Sequence, residues 1–234
     1  MEQKPIIPMS DHSEAIRLEE IRPTILPDAF LASKDVHTAL QFDMPFYRDL
    51  PDMPLYREQV ISYIERVLSP LGLPSSGPWV TPSMINNYVK LGLVAAPVKK
   101  QYDRTHIARL LVICLFKQVL SIAAIQQLFQ IQLITYPDQI AYDYTACEVT
   151  EAIRCAFSNP PRASADTAQQ VTRESLLVRT AAHAFASKTF LMRYLSFSGL
   201  PTESYRAATI QKNARLICEL GAFSNFKTSG PSRG

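Results

Sequence analysis

Four polar side chains share one side of a short helical stretch near the middle of the 234-residue chain. The four are Ser83, Asn86, Asn87 and Lys90. At about 100° per residue they fall within an arc roughly 100° wide, and the apolar side chains of the stretch lie opposite. Asparagine bonds adenine N6 and N7, lysine reaches guanine or a phosphate, and serine bonds bases or phosphates. The pattern therefore predicts a surface that contacts duplex DNA.

A second polar group follows after about ten residues. The segment 97–104, PVKKQYDR, contains Lys99, Lys100, Tyr102 and Arg104. A basic excursion after a short helix predicts a small hairpin, or wing, that lies over the flanking DNA backbone. We therefore include these four residues in the candidate DNA-binding surface. A helix face that is polar only because it is exposed to solvent would have the same composition as residues 83–90. The prediction of DNA binding therefore depends on the elements that precede and follow this helix.

Charged residues are unevenly distributed along the chain. Residues 1–65 contain twelve acids against six Lys and Arg, whereas residues 66–137 contain seven Lys and Arg and a single acid, Asp103. A surface that approaches a polyanion lacks carboxylates, because each neutralised phosphate releases counterions. An apolar core segment that happens to lack acids would show the same distribution, so both interpretations stay open at this point.

Capping signals locate the helices that would carry these residues. Apolar residues at helical spacing from Leu55 onward predict an amphipathic helix. Thr81 followed by proline is a strong helix start, and Gly92 can end that helix in a left-handed conformation. Asp103 and Ser121 are candidate N-caps of two further helices. The predicted elements follow the order of a winged helix-turn-helix: a helix, a loop, a polar-faced helix, a basic segment and another helix.

Three stretches resemble the DNA-binding domain of the MerR family of bacterial regulators. They are INNYVKLGLV (85–94), PVKKQYDR (97–104) and HIARLLVICLFKQVLSIAAIQQLF (106–129), with Tyr88, Gly92, Leu93, Tyr102, Leu110 and Ile113 at recurrent family positions. Over about residues 55–135 the chain more closely resembles an uncharacterised bacterial family, a domain of unknown function. These resemblances imply a MerR-like winged helix-turn-helix protein that regulates transcription by binding specific DNA sequences.

The sequence also departs from the MerR pattern. Asn86 stands where MerR regulators usually have an arginine, and the wing is shorter and lacks Gly-Tyr-Arg. Residues 75–78 enlarge the loop before the polar-faced helix. We therefore expect contacts with the operator to differ from those of MerR regulators.

Prolines and glycines divide the chain into four predicted parts. Twelve of the seventeen prolines lie in the first hundred residues, which allows only short helices there. We predict one such helix at 28–40 and an extended linker at 43–54. The four parts are a Pro-rich acidic arm (1–54), the winged helix-turn-helix (55–135), a helical dimerisation or effector region (136–221) and a disordered tail (222–234).

The C-terminal region is predicted to contain three helices. They span about 138–157, 164–197 and 202–220, with Ser164 and Thr202 as caps. A continuous helix over 164–197 would be about 50 Å long, which a small domain cannot cover by itself. Its apolar side chains need a partner surface, so we expect a homodimer formed through the C-terminal helices.

Composition excludes several classes of protein. Seven glycines argue against Gly-rich phosphate-binding folds and turn-dense β-sandwiches, and they favour an all-α fold with a small β wing. The longest apolar run, 110–116, is far shorter than the roughly 20 residues that cross a membrane, and no signal peptide is recognisable, so we expect a cytoplasmic protein. The four cysteines and four histidines show no zinc spacing, and we expect buried thiols, no metal and no cofactor.

Two other functions compete with DNA binding. A protein-interaction or adaptor module would keep the winged-helix fold without binding DNA, and the acidic arm would then bind a partner or mask the basic helix. The candidate reactive groups are Asp143, Cys147, Glu148, Glu151 and His183. Their spacing does not assemble a nucleophile, a base and an orienting group, so we expect no enzyme. The aromatic residues of the C-terminal region are Tyr142, Tyr144, Phe185, Tyr194 and Phe197. Packing in the core explains them better than a pocket for a small-molecule effector does.

Overall fold

The computed structural model describes residues 28–72, 77–159, 167–168 and 170–197. Its eight helices are α1 (Asp28–Leu31), α2 (Lys34–Leu40), α3 (Arg57–Leu68), α4 (Pro82–Lys90), α5 (Arg104–Phe116), α6 (Ile122–Thr135), α7 (Asp138–Phe157) and α8 (Arg173–Phe197). Two short strands, β1 (Leu55–Tyr56) and β2 (Gln101–Tyr102), pair in antiparallel fashion. The expectation of a mostly helical fold with a small β element is confirmed.

Helix α5 lies at the centre of the core. Ten of its thirteen residues are buried, because α3 packs against it on one side and α7 on another. The long apolar run at 110–116 is therefore the inner part of a core helix. None of the helices in the described ranges is long and apolar enough to span a membrane.

Residues 28–54, assigned from the sequence to an acidic arm, pack onto this core. The helix predicted at 28–40 is split into α1 and α2, because Ser33 caps a new helix by accepting the Val36 N–H at 3.3 Å. The following linker docks through buried side chains and through main-chain donors. The Met44 N–H donates to Thr150 Oγ1 at 3.1 Å, and the Tyr47 N–H donates to Asp143 Oδ1 at 2.6 Å.

Helices α7 and α8 lie side by side and run in the same direction. The Tyr144 hydroxyl donates to the Ser175 carbonyl at 3.2 Å near their N-terminal ends. Phe157 packs edge-on against Phe190, with ring centroids 5.3 Å apart, near their C-terminal ends. The predicted bounds of α7 are confirmed.

Helix α8 begins later than predicted, at Arg173 instead of 164. Thr172 and Ser175 cap it reciprocally, since each hydroxyl oxygen accepts the other's backbone N–H, at 3.1 and 2.9 Å. Its 25 residues span about 37 Å at 1.5 Å per residue. The predicted cap at Ser164, the helix at 202–220 and the tail at 222–234 lie outside the described residues.

A buried arginine joins α8 to the N-terminal half of the chain. Arg193 is almost fully buried, and its guanidinium donates to the carbonyls of Asp35, Pro70 and Gly72. The guanidinium also lies 5.7 Å from the centre of the Phe157 ring. One side chain thus connects α8 with α2 and with the segment that follows α3.

Candidate nucleic-acid interface

Helix α4 starts and ends where the sequence predicts. Thr81 Oγ1 accepts the Met84 N–H at 3.2 Å, and proline occupies the first helical position. The helix ends at Lys90, and Gly92 takes a φ of 70° just beyond it. The local sequence therefore fixes both ends of the element that carries the polar face.

Two neighbouring helices hold the loop in front of α4. Glu65 on α3 accepts the Val80 N–H at 3.2 Å, and Lys117 at the end of α5 donates to the Trp79 carbonyl and to Met84 Sδ. Ile85 and Tyr88 anchor the inner side of α4 in the core. These contacts fix the orientation of α4 relative to α3 and α5.

The outer side of α4 is open to solvent. Ser83, Asn86, Asn87 and Lys90 are all exposed, and the nine residues of the helix include no acid. The structure therefore brings the four predicted side chains together on one accessible surface. We call this surface the polar face.

The predicted wing is a tight hairpin. Leu55 pairs with Tyr102, Tyr56 pairs with Gln101, and a further bridge joins Gln101 to Val98. The Gln101 N–H donates to the Val98 carbonyl at 2.9 Å, which closes a turn with two central residues. We define residues 98–102 as the wing.

Lys99 and Lys100 form the tip of the wing in a conformation that lysine rarely adopts. Their φ angles are 50° and 66°, and both side chains are exposed. Two-residue hairpin turns with positive φ at both positions prefer Asn-Gly, because a Cβ clashes with the backbone there. Such strain persists where the surrounding structure imposes it, and it is frequent at functional sites.

A groove connects the wing with the polar face. It is lined by Tyr56, Arg57, Glu58, Asn86, Pro97, Lys100 and Tyr102. Tyr56 is 57 % exposed, and Arg57 Nε donates to Glu58 Oε1 at 3.3 Å. Tyr56 and Arg57 were missed by the sequence analysis, since only the pairing of β1 with β2 brings them to the wing.

Two of the predicted site residues lie elsewhere than expected. Tyr102 is only 4 % exposed, and its ring packs edge-on against His106. It pairs with Leu55, so its side chain belongs to the inner side of the strands and is buried. Arg104 is half-buried, with its guanidinium 5.8 Å from the centre of the Tyr47 ring. Of the predicted site residues, those that are exposed are therefore the four of the polar face and the two lysines of the tip.

Part of the basic excess in residues 66–137 is internal. Lys117 holds the loop before α4, and Arg109 Nη2 donates to Asp138 Oδ1 at 2.9 Å. Neither side chain contributes to the polar face. Both interpretations of the charge distribution thus apply, because some of these cations stabilise the fold while Lys90, Lys99 and Lys100 face solvent.

The chain was compared with known protein families, curated proteins and solved structures. Residues 45–146 match the family model described as Domain of unknown function (DUF1836). The match covers the middle part of the chain and is to a family of unknown function. Neither the curated proteins nor the solved structures gave a match. The predicted resemblance to a domain of unknown function is thus confirmed, while its MerR-like character and bacterial source stay predictions.

The matched residues include the single acid of the basic segment, Asp103. Its carboxylate caps α5, because Asp103 Oδ1 accepts the His106 N–H at 3.1 Å. Partial burial raises the pKa of this carboxyl, but the hydrogen bonds with His106 and Thr105 outweigh it and hold the pKa below its usual value. Asp103 therefore stays ionised as the N-cap of the helix that follows the wing.

Three of the four cysteines lie among the described residues, and Cys218 lies outside them. Cys114 and Cys155 are buried as predicted, Cys147 is half-buried, and burial raises the pKa of the Cys114 thiol to about 12. Buried Glu148 accepts the Thr167 N–H at 2.9 Å and lies 3.9 Å from Arg179. Within the part of the chain that the structure describes, no group of three or more His, Cys, Asp or Glu could hold a metal ion.

Proposed function

We propose that the protein is a sequence-specific DNA-binding transcriptional regulator whose residues 55–135 form a MerR-like winged helix-turn-helix. The observation that carries the proposal is the pair of exposed lysines at the tip, held at positive φ beside the polar face of α4. A turn selected only for stability would contain Asn-Gly at this place. Such a regulator acts in the cytoplasm, where bacterial DNA lies, and has no catalytic role.

In this proposal α4 enters the major groove and the wing lies on the flanking backbone. Asn86 and Asn87 are the side chains that bond base edges, and Lys90 reaches a guanine or a phosphate. Lys99 and Lys100 neutralise phosphates next to the groove, so they supply affinity and orientation without sequence preference. The groove between wing and α4 adds Tyr56 and Arg57 to the contact surface.

Selection of genomic DNA fragments by the purified full chain, followed by binding titrations of the selected duplex at several salt concentrations, tests the proposal. The logarithm of the binding constant should fall linearly with the logarithm of the salt concentration, and we call this gradient the salt slope. Three or four phosphate contacts per protomer predict a salt slope of about −3, at roughly −0.9 for each contact. A scrambled duplex of the same length should bind much more weakly. Enrichment of no sequence, together with no salt-dependent binding, would exclude the proposal.

The proposed regulator binds as a homodimer through α8. Leu177, Ala184 and Leu191 follow each other at intervals of seven residues, and all three are exposed. A twofold axis at Ala184 would place Leu177 opposite Leu191 of the partner subunit, with the small alanine allowing close approach of two antiparallel helices. The face is thus complementary to itself.

Sedimentation velocity measures the oligomeric state directly. The wild-type chain should sediment at twice the 26.3 kDa protomer mass, and Ala184→Glu should sediment as a monomer because it buries a charge at the contact. Gln41→Glu, which adds the same charge at an exposed site at the end of α2, should stay dimeric. A monomeric wild-type protein at micromolar concentration would rule out this contact.

The exposed apolar end of α6 favours a second candidate function, an adaptor that binds a protein. Ile134 is 87 % exposed there, and exposed apolar patches mark interaction sites. The DNA selection described above separates the two functions. An adaptor would show no enrichment of any duplex and no effect of substitutions in the polar face.

A further inference from the structure

A cavity lies where α6 ends and where α7 and α8 begin. Its wall consists of the last turns of α6, the first turns of α7 and α8, and the segment that precedes α8. Its volume is about 390 Å³, which is within the range of roughly 300–1,000 Å³ that is typical of small-molecule sites. The space is therefore large enough for a small organic molecule.

The helices on either side of this cavity are fixed to each other. The Tyr144 hydroxyl on α7 donates to the Ser175 carbonyl on α8 at 3.2 Å, and the reciprocal caps of Thr172 and Ser175 fix the start of α8. Ala141 and Ser175 contribute small side chains to the wall, which leaves space between the helices. The cavity is therefore formed by the fold itself, as small-molecule sites usually are.

One part of the wall is apolar. It includes Ile140, Val178 and the rings of Tyr136 and Tyr144. Ile140 is 56 % exposed, and contact with an apolar body would remove some of this surface from water. This part of the wall favours a ligand that contains an apolar group.

Glu174 is the one charged side chain among the described residues of the wall, and it is only 15 % exposed. Arg173 donates to Glu174 Oε1 from Nε at 3.1 Å and from Nη2 at 2.6 Å, and Thr135 Oγ1 donates to the same oxygen at 3.4 Å. None of the described residues donates a hydrogen bond to Oε2. A largely covered carboxylate at the cavity therefore keeps one oxygen that can accept hydrogen bonds from a ligand.

Gln132 contributes a second acceptor to the wall. Its Nε2 donates to the Tyr136 carbonyl at 2.8 Å and to Asp138 Oδ1 at 3.1 Å. These two bonds use both N–H groups of the amide and leave its oxygen as an acceptor. Gln132 can therefore receive a donor of a ligand, and it has no N–H left to offer to an anion.

The charges around the cavity favour a cation. The described residues of the wall include no Lys, Arg or His. Arg173 lies outside the wall and is 69 % exposed, so it can keep its bonds to Glu174 Oε1 from the solvent side. The nearby Asp138 carboxylate is balanced by Arg109 at 2.9 Å. Glu174 is thus the charge that a ligand in the cavity would meet.

We propose that this cavity binds a primary ammonium ion that carries an apolar body. The ammonium group, which has three N–H donors, bonds Glu174 and Gln132, and the apolar body covers Ile140. The tyrosine rings of the wall add attraction for a cation. Because none of the lining residues belongs to the polar face or to the wing, the site goes beyond the proposed DNA binding and does not rest on it.

Methyl NMR of the full chain with 2-phenylethylamine as the probe tests this inference. This amine, like a lysine side chain, is protonated at about pH 7. We expect saturable shifts of the Ile140, Ala141 and Val178 methyl signals. 2-Phenylethanol has nearly the same shape without the charge and should bind at least about tenfold more weakly. Phenylacetate should give no saturable shifts, because Glu174 repels it.

Matched variants locate the charge that the ligand meets. Glu174→Gln keeps the size of the side chain, so it should weaken binding of the amine at least about tenfold and leave binding of 2-phenylethanol nearly unchanged. Glu58→Gln is the control and should keep the wild-type affinity. Glu58 also lies in the first turn of a helix and pairs with the preceding arginine, Arg57, at 3.3 Å.

A second pair of variants locates the apolar body. Ile140→Ala should weaken binding of both the amine and the alcohol by about three- to tenfold, since less apolar surface is covered. Leu133→Ala removes a similar exposed side chain outside the wall and should keep the wild-type affinity. Circular dichroism and thermal unfolding check that all four variants keep the wild-type fold.

Three results would overturn the inference. An absence of saturable shifts with 2-phenylethylamine would show that the cavity takes no such ligand. Equal binding of the amine and the alcohol, or an affinity for the amine that Glu174→Gln leaves unchanged, would contradict an ammonium ligand held by this carboxylate. The experiment contains no DNA, so its failure is distinguishable from a failure of the proposed function.

Discussion

At the scale of single residues, Asn87 is expected to control sequence preference. Asn87→Ala removes two hydrogen bonds to a base edge and no phosphate contact, so discrimination should fall by about 1–3 kcal/mol. The salt slope of DNA binding by this variant should equal that of the wild type. Competition between the selected duplex and single-base variants in fluorescence anisotropy measures this effect.

A matched control for Asn87 is available on α7. Gln139→Ala removes an exposed amide far along the chain from the polar face and should change neither discrimination nor slope. Equal weakening of all duplexes by Asn87→Ala, with a shallower slope, would assign Asn87 to a phosphate instead of a base.

Asp103 is expected to make the stability of the fold depend on pH. Its pKa is held below the usual value in the folded state, so its charge stabilises the protein above the pKa of the unfolded chain. That stabilisation is lost as pH falls below the ordinary aspartate range and through the lower pKa of the folded state. Because the side chain is 57 % exposed, the contribution should be under about 1 kcal/mol.

Thermal unfolding between about pH 2 and 6 tests the role of Asp103. Asp103→Asn keeps a capping side chain but cannot ionise, so the difference in stability between wild type and variant should shrink as the pH is lowered. A difference that stays constant over this range would show that the Asp103 charge does not stabilise the fold.

At the scale of elements, we expect the wing to strengthen DNA binding and to lower the stability of the fold. Lys99→Asn combined with Lys100→Gly gives the turn its preferred residues and should raise the free energy of unfolding by about 1–2 kcal/mol. The same change removes two cations, so the salt slope of DNA binding should become shallower by about 1.8. Denaturant unfolding and salt titrations of the same variant measure both effects.

The control for the wing is a lysine far from the groove. Lys34→Ala, at an exposed site at the start of α2, should leave the salt slope of DNA binding unchanged. A double wing variant that gains stability and keeps the wild-type slope would show that the lysines of the tip do not touch DNA.

Local chemistry predicted the elements of the site well. The threonine and proline before α4, Gly92 after it, and the caps Asp103 and Ser121 all act within a few residues of the chain, and the structure confirms them. The exposure of the polar face follows from the helical period, because the apolar side chains of α4 anchor its other side.

Contacts between distant segments were not predictable in the same way. Tyr102 lies in the core because it pairs with Leu55, which is far away in the sequence. Tyr56 and Arg57 reach the wing for the same reason. Arg109 and Lys117 were counted as part of a basic segment, although their partners in other elements turn them inward. A single sequence indicates such partners only weakly.

At the scale of the whole molecule, Arg193 connects α8 with the N-terminal half of the chain. Its guanidinium donates to carbonyls that follow α3 and to one in α2. Burial lowers the pKa of this guanidinium, and Asp35 opposes that effect. A single charged side chain therefore holds three parts of the core together.

Arg193→Ala should destabilise the protein by about 3 kcal/mol or more, because several buried carbonyls lose a charged donor. Arg154→Ala is the control, since that side chain is exposed and lies 3.6 Å from Asp43; it should change stability by at most about 1 kcal/mol. Chemical denaturation measures both. Similar effects of the two substitutions would contradict a connecting role for Arg193.

Site-specific photo-cross-linking tests the central claim most directly, since it asks which side chains touch DNA. A photoreactive residue at position 87, 99 or 139 is introduced into the full chain, and each protein is irradiated with the selected duplex. The proposed regulator should cross-link from position 87 to a base of the recognised sequence and from position 99 to the flanking nucleotides, while position 139 gives background only. Cross-linking from positions 87 and 99 at the level of position 139, with the duplex still bound, would contradict it.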